Sequence, residues 1–268
     1  MEKKRADFYE DERPFEVNLE EYIERILIEV ESFLNKVHSN DQTSLQVIIN
    51  DLKNRVESKE IVFRTPDGDF PLLSKYADLR KVIISYLLNP FEIYQTITKN
   101  TETITVTVRS WLRSRLFLYY QMAKSLTSTL SKEEAIQFFQ NYIDEKTRAL
   151  RDPANFSETL EKFYLDNTFF ETYAGHNLIF FKINNWKAGE KILKCKWHEV
   201  MKELNDPDFS YAVACHYDFE AIKNKNPAFV LTRTRTLMEG RECCDFCYHD
   251  TRNTEVTHPS EDFWTKLK

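Results

Sequence analysis

Apolar residues recur at three- and four-residue steps along the first half of the chain. Between residues 16 and 40, Val17, Leu19, Tyr22, Ile23, Ile26, Leu27, Val30, Phe33 and Leu34 form one stripe with charges between them. That spacing predicts a helix. Leu45, Ile48, Ile49, Leu52 and Val56 predict a second over 44–56. Leu72 to Leu88 gives a third, stopped by Asn89-Pro90 because the residue before proline is driven out of the helical region. The run Arg64 to Asp69, with Pro66 and Gly68, predicts a turn. Residues 103–128 carry two patterns. Thr103 to Val108 is β-branched and suits a strand, while Val106, Ser110, Leu112, Leu116, Tyr119, Met122 and Leu126 suit a helix from about 106. Ser131-Lys132-Glu133-Glu134 reads as a helix start, with carboxylates at the positive helix end. That helix runs to about 148, and Ser157 is read as the cap of another reaching about 165.

Beyond residue 176 the periodicity changes. Asn177 to Ile183 is a short apolar run suited to a buried strand, and 190–204 returns to a helical pattern. Ser210 to Cys215 and Phe229 to Leu237 read as strands. Met238-Glu239-Gly240-Arg241 then reads as a hairpin connection into a strand over Cys243–Tyr248. The expected fold class is α+β: a helical region over 1–170 packed on a small antiparallel sheet with one or two helices over 171–268, as one body.

Composition narrows the functional classes. Aromatic residues are 14% of the 268 positions, which excludes a disordered chain. The four glycines, Gly68, Gly175, Gly189 and Gly240, are too scattered for a phosphate-binding loop. A net charge of -6 gives no electrostatic footprint for nucleic acid. No apolar run approaches the roughly 18 residues of a membrane helix. The charged start MEKKRADFYEDER has no apolar core after it, so no signal peptide is expected and a cytoplasmic location is. All five cysteines lie from Cys195 onward. In a reducing compartment clustered thiols point to metal or catalysis before disulfides.

Four groups of residues could carry chemistry. Cys244 and Cys247 form one CxxC, but a strand would turn them to opposite faces, with Asp245, Cys247 and His249 on one side and Cys244 and Phe246 on the other. Burial in a core is the plain alternative for these cysteines. Cys215-His216-Tyr217-Asp218 joins a thiol, an imidazole and a carboxylate, although Asp218 also suits a helix cap. Cys195 is followed by His198 and Glu199 on one helix face, but residue 202 is Lys, so this is not HExxH. Arg233 and Arg235 would share one strand face, either as ordinary exposed residues or as a clamp for a substrate carboxylate. His176 is a lone histidine and reads as structural.

Three of these pieces, in this order, resemble the L-2-amino-thiazoline-4-carboxylic acid hydrolase family over about 176–250. They are Cys195-Lys196-Trp197-His198-Glu199-Val200-Met201-Lys202-Glu203-Leu204, then Cys215 with Asp218, then Arg233-Thr234-Arg235-Thr236-Leu237 leading through Gly240 to Cys244-Asp245-Phe246. Where the family continues with Arg and an aromatic, this chain has Cys247 and Tyr248. The resemblance implies a hydrolase acting on carbon–nitrogen bonds other than peptide bonds. Such an enzyme opens a cyclic amidine in a small carboxylate substrate, a thiazoline ring becoming an N-carbamoyl thiol amino acid. It implies one pocket with Cys215, Asp218, Cys244 and Asp245 as catalytic candidates, and Arg233, Arg235 and Cys195 as substrate-binding candidates. His198, on the helix face with Cys195, is a further substrate-binding candidate although it is not a family position. Cys195, Cys215 and Cys244 are equally the candidate metal ligands. The alternative function is a non-catalytic small-ligand or zinc-binding module, with zinc as the candidate cofactor. The expected partners are a small-molecule substrate and a second copy of the chain, with no nucleic acid and no membrane.

Overall fold

A computed structural model describes residues 2–7, 9, 14–57, 68–91, 103–166 and 175–268. The turn expected over Arg64–Asp69 lies outside these residues except for its last two positions. The described strands are β1 (Glu2–Asp7), β2 (Phe15–Asn18), β3 (Thr103–Val106), β4 (His176–Asn184), β5 (Lys187–Cys195), β6 (Phe229–Thr232) and β7 (Cys244–Asp250). The chain is α+β and divides into two compact units. One is Arg13–Tyr142. The other is discontinuous and joins Met1–Glu12 to Ile143–Lys268.

In the first unit, β2 pairs antiparallel with β3. Helix Leu19–Asn40 starts where the Asn18 side chain accepts the Glu21 amide, and its stripe from Ile23 to Leu34 is buried. Its Glu31 is only 6% exposed, yet both carboxylate oxygens are used: they accept the amides of Leu72 and Leu73 at 2.8 and 2.9 Å. Those are orphan donors at the start of helix Pro71–Lys75. The helix expected over 72–88 is therefore two, Pro71–Lys75 and Ala77–Leu88, broken at Tyr76. Both patterns read over 103–128 are realised in succession. Thr103–Val106 is a strand because it has a partner in β2, and a capping box of Thr107 with Ser110 opens helix Val108–Ser125. Helix Lys132–Ala149 starts where expected, with Ser131 and Glu134 capping each other.

The second unit is built on a five-stranded sheet in the order β1-β4-β5-β7-β6, antiparallel throughout. Alternation sorts its residues onto two faces. Leu178, Phe180, Ile192, Leu231, Cys244, Phe246 and Tyr248 pack with Leu160, Phe163 and Ile222 from helices Leu160–Asp166 and Asp218–Lys225. On the other face, Ile179, Phe181 and Cys247 pack against Trp264 and Leu267 of the C-terminal segment. Gly189 sits where β5 meets β7. A Cβ there would come within 2.1 Å of the Phe246 carbonyl oxygen.

Several sequence expectations change here. β1, from the charged N-terminus, was read without structure and is an edge strand on β4. Residues 190–195 are strand, and the expected helix starts only at Lys196 and ends at Lys202. Ser210–Cys215 is not a strand: Pro207 opens a helix to Ala214. Phe209, Ala212 and Val213 are buried at helical spacing within it. β6 stops at Thr232, so Arg233 and Arg235 lie in the connection to β7, which contains a short turn of helix over Leu237–Glu239 and Gly240 at φ 76°. The residue that caps helix Leu160–Asp166 is Thr159, whose hydroxyl accepts the Lys162 amide, rather than Ser157.

Candidate functional site

Antiparallel pairing gathers one end of each strand. β4 begins at His176 opposite the last residue of β5, Cys195. β7 begins at Cys244 opposite Ile192 of β5, and β6 ends beside β7 at Thr232. His176, Cys195, Cys244 and Arg233 are thus brought to a single end of the sheet. The turn between helices Pro207–Ala214 and Asp218–Lys225 adds Cys215 and Asp218.

Arg233 is the centre of this cluster. Its side chain is 2% exposed and donates to Asp218 Oδ2 at 2.6 Å, to the Tyr211 hydroxyl at 3.0 Å and to the Cys215 carbonyl at 3.0 Å. Phe219 and Phe246 each face the guanidinium at 4.8 Å. Burial works against the charge, but Asp218 and the neighbouring acidic groups hold the Arg233 pKa above its usual value. A guanidinium with three protein acceptors positions Asp218 and the Cys215 turn. Asp218 remains 30% exposed, and Arg233 occupies only its Oδ2. Burial raises the pKa of this carboxyl, with Arg233 opposing.

The three thiols lie close enough to feel one another's charge. Burial raises all three pKa values, and Cys215 is raised further by Asp218, Cys244 and Cys195. Cys195 is pushed up to about 12, although the amides of Trp197 and His198 at the start of helix Lys196–Lys202 favour its anion. Its sulfur lies 3.4 Å from His176 Nε2, and the His176 ring stacks on Trp197 with centroids 4.9 Å apart and planes 22° apart. The Cys244 sulfur accepts the Leu237 amide at 3.3 Å. His216, beside Cys215 in sequence, turns to Asp144 at 3.0 Å. Among the described residues no group of three or more His, Cys, Asp or Glu is arranged to hold a metal ion.

Cys195, Cys215, Asp218, Arg233 and Cys244 therefore lie at the same end of the sheet. His198 is beside them in the first turn of its helix, where burial and then Lys202 lower its pKa. Asp245 and Arg235 do not join them. Asp245, fully buried, points to the opposite face of β7. It accepts the amides of Thr234 and Arg235 at 2.9 and 3.0 Å and bonds His258 at 3.0 Å. Arg235 pairs with Glu261 at 2.8 Å and Asp245 at 3.3 Å. The two arginines form no common clamp, because the strand that would have aligned them ends one residue before Arg233. Two members were missed from sequence. Tyr211 lies in a segment whose short apolar pattern suits a strand but which is a helix. His176 carries no motif in the sequence, and the β4–β5 hairpin register places it directly across from Cys195.

One end of the sheet thus carries thiols, a buried arginine and a carboxylate that is 30% exposed. The chain belongs to the L-2-amino-thiazoline-4-carboxylic acid hydrolase family, whose model matches residues 111–248. That is more than half of the chain and includes His176, Cys195, Tyr211, Cys215, Asp218, Arg233 and Cys244. The match reaches further upstream than the motifs read from sequence, into helix Val108–Ser125. Neither a curated protein nor a solved structure matches the chain. Among the described residues no helix is long and apolar enough to cross a membrane.

Proposed function

We propose that this protein hydrolyses a small carboxylate substrate containing a cyclic amidine, of the 2-aminothiazoline-4-carboxylate type. The observation that carries this reading is the convergence of Cys195, Cys215, Cys244 and Asp218 about Arg233, all within the family match. An amidinium is a planar cation with N–H groups on both nitrogens, and a partly open carboxylate is its natural acceptor. Asp218, steadied through Oδ2 by Arg233, offers Oδ1 to it. Phe219, Phe246 and Tyr211 pack on the Arg233 guanidinium that steadies Asp218.

Water adds to the amidine carbon, and the ring carbon–sulfur bond breaks if the product is an N-carbamoyl thiol. Breakage of the ring carbon–nitrogen bond would instead release an amine. Incubation of purified protein with 2-aminothiazoline-4-carboxylate and related cyclic amidines tests the reading, with free thiol and free amine both measured. Turnover that survives dialysis against a chelator is the expected result. No turnover across the panel by folded protein overturns the reading. Stoichiometric zinc whose removal abolishes turnover would move the three thiols to the role of ligands.

A further inference from the structure

We propose that Cys195 is the nucleophile of this site and that His176 is its general base. The assignment rests on the hydrolytic reading above and on a separate geometric fact. The Cys195 sulfur and His176 Nε2 are 3.4 Å apart, on residues that pair across the β4–β5 hairpin. Two strands, rather than mobile loops, therefore set the distance. The stack of His176 on Trp197 fixes the ring plane that aims Nε2 at the sulfur. His216 is drawn away from Cys215 by Asp144, and Cys244 takes the Leu237 amide as Cys195 takes those of Trp197 and His198, so the imidazole at 3.4 Å is what sets Cys195 apart. A thiol attacks as its anion, so attack requires a base within reach, and the imidazole 3.4 Å away is placed to be that base.

The chemistry balances without a further reactant. The thiol proton moves to His176 Nε2 as sulfur bonds to the amidine carbon. The ring carbon–sulfur bond then breaks, and the departing ring sulfur takes the proton back from His176. An isothiourea adduct remains on Cys195. Water adds to its central carbon and gives a proton to His176. The bond to Cys195 breaks, the thiol regains its proton from the imidazolium, and the urea group of the product is released. Asp218 holds the amidine N–H groups throughout.

The test uses two probes on the full chain. The first is 2-chloroacetamidine, whose amidinium suits Asp218 and whose chloromethyl carbon can be displaced by a thiolate with loss of chloride. Peptide mapping is expected to find the label on Cys195, with labelling slowed at least tenfold in His176→Gln. The second is 2-aminothiazoline-4-carboxylate, acid-quenched during a single turnover. A mass gain of one whole substrate is expected on Cys195. Cys195→Ser should bind this substrate while losing turnover at least a hundredfold, and His176→Gln should lower kcat more than it raises KM. A label on Cys215 or Cys244, or none, overturns the assignment. If Cys195 is labelled by the first probe yet no cyclic amidine turns over, the nucleophile stands and the substrate reading falls.

Discussion

Arg233 joins three separate pieces of the candidate site. It ties Asp218, Tyr211 and the Cys215 turn through three hydrogen bonds. Removing one partner of a buried ion pair costs about 3–5 kcal/mol, less where the other partner reaches water as Asp218 does. Arg233→Met is expected to cost about 3 kcal/mol in urea unfolding. Arg233→Lys should recover part of that stability but little activity, because an ammonium cannot reproduce the planar fork. A second residue-scale prediction concerns pH. His249, buried in β7 and bonded to Thr232 at 2.9 Å, has its pKa lowered to about 4 by burial, with Lys187 and His258 adding to the effect. The unfolded chain then binds the proton more readily than the folded one between pH 6.5 and about 4. Stability falls across that window as pH drops, by roughly 3 kcal/mol at about 1.4 kcal/mol per pH unit. Thermal melts should show the fall, and His249→Gln should flatten it. Asp245 adds a step of the same direction at lower pH, since bonds from His258, Thr234 and Arg235 outweigh its burial and lower its pKa.

At the scale of elements, β7 is the organising strand. Its alternation sends Cys244, Phe246 and Tyr248 into one core and Asp245, Cys247 and His249 toward the other face. That division was legible from the residues alone, because a strand has period two whatever it pairs with. The β5 crossing of β7 depends on Gly189. Gly189→Ala should cost about 1–3 kcal/mol or more, seen as a lower urea midpoint, since the added Cβ would meet the Phe246 carbonyl and the Phe181 ring. In the other unit, Thr107→Ala removes one half of a capping box and should cost about 1 kcal/mol. The misread elements share a cause. Ser210–Cys215 is short and apolar, so periodicity fits strand and helix alike, and Pro207 at the first helical position decided it. Residues 190–195 fit a helix in isolation and become strand because β4 and β7 flank them.

At the scale of the whole molecule, the sheet draws on both ends of the chain. β1 belongs to the unit formed by Ile143–Lys268, and its Asp7 is bonded by Asn177 next to the candidate site. Residues 143–268 expressed alone should therefore be less stable than the same segment joined through a flexible linker to residues 1–12. Circular dichroism melts compare the two. The C-terminal segment closes the other face: Trp264 and Leu267 cover Ile179, Phe181 and Cys247, while His258 bridges Asp245 and Thr232 at 3.0 Å each. Truncation after Thr257 should expose Cys247, and its alkylation should change from slow to fast while the protein remains folded.

The sequence by itself determined the α+β class, the helical stripes of the first half, the alternation of β7 and the family. These depend on local periodicity and on motif spacing, which survive without knowledge of neighbours. Through the family resemblance it also grouped Cys195, Cys215, Cys244, Asp218 and Arg233 in one expected pocket, together with Asp245 and Arg235, and with His198 from its helix face beside Cys195. Only the tertiary structure decided what each faces. Register across β4 and β5 put His176 against Cys195, a pairing between residues 19 positions apart. The end of β6 at Thr232 turned Arg233 inward to Asp218 and Arg235 outward to Glu261. Pairing register and strand length depend on the turn and on what lies alongside, which the periodicity of a single segment does not give.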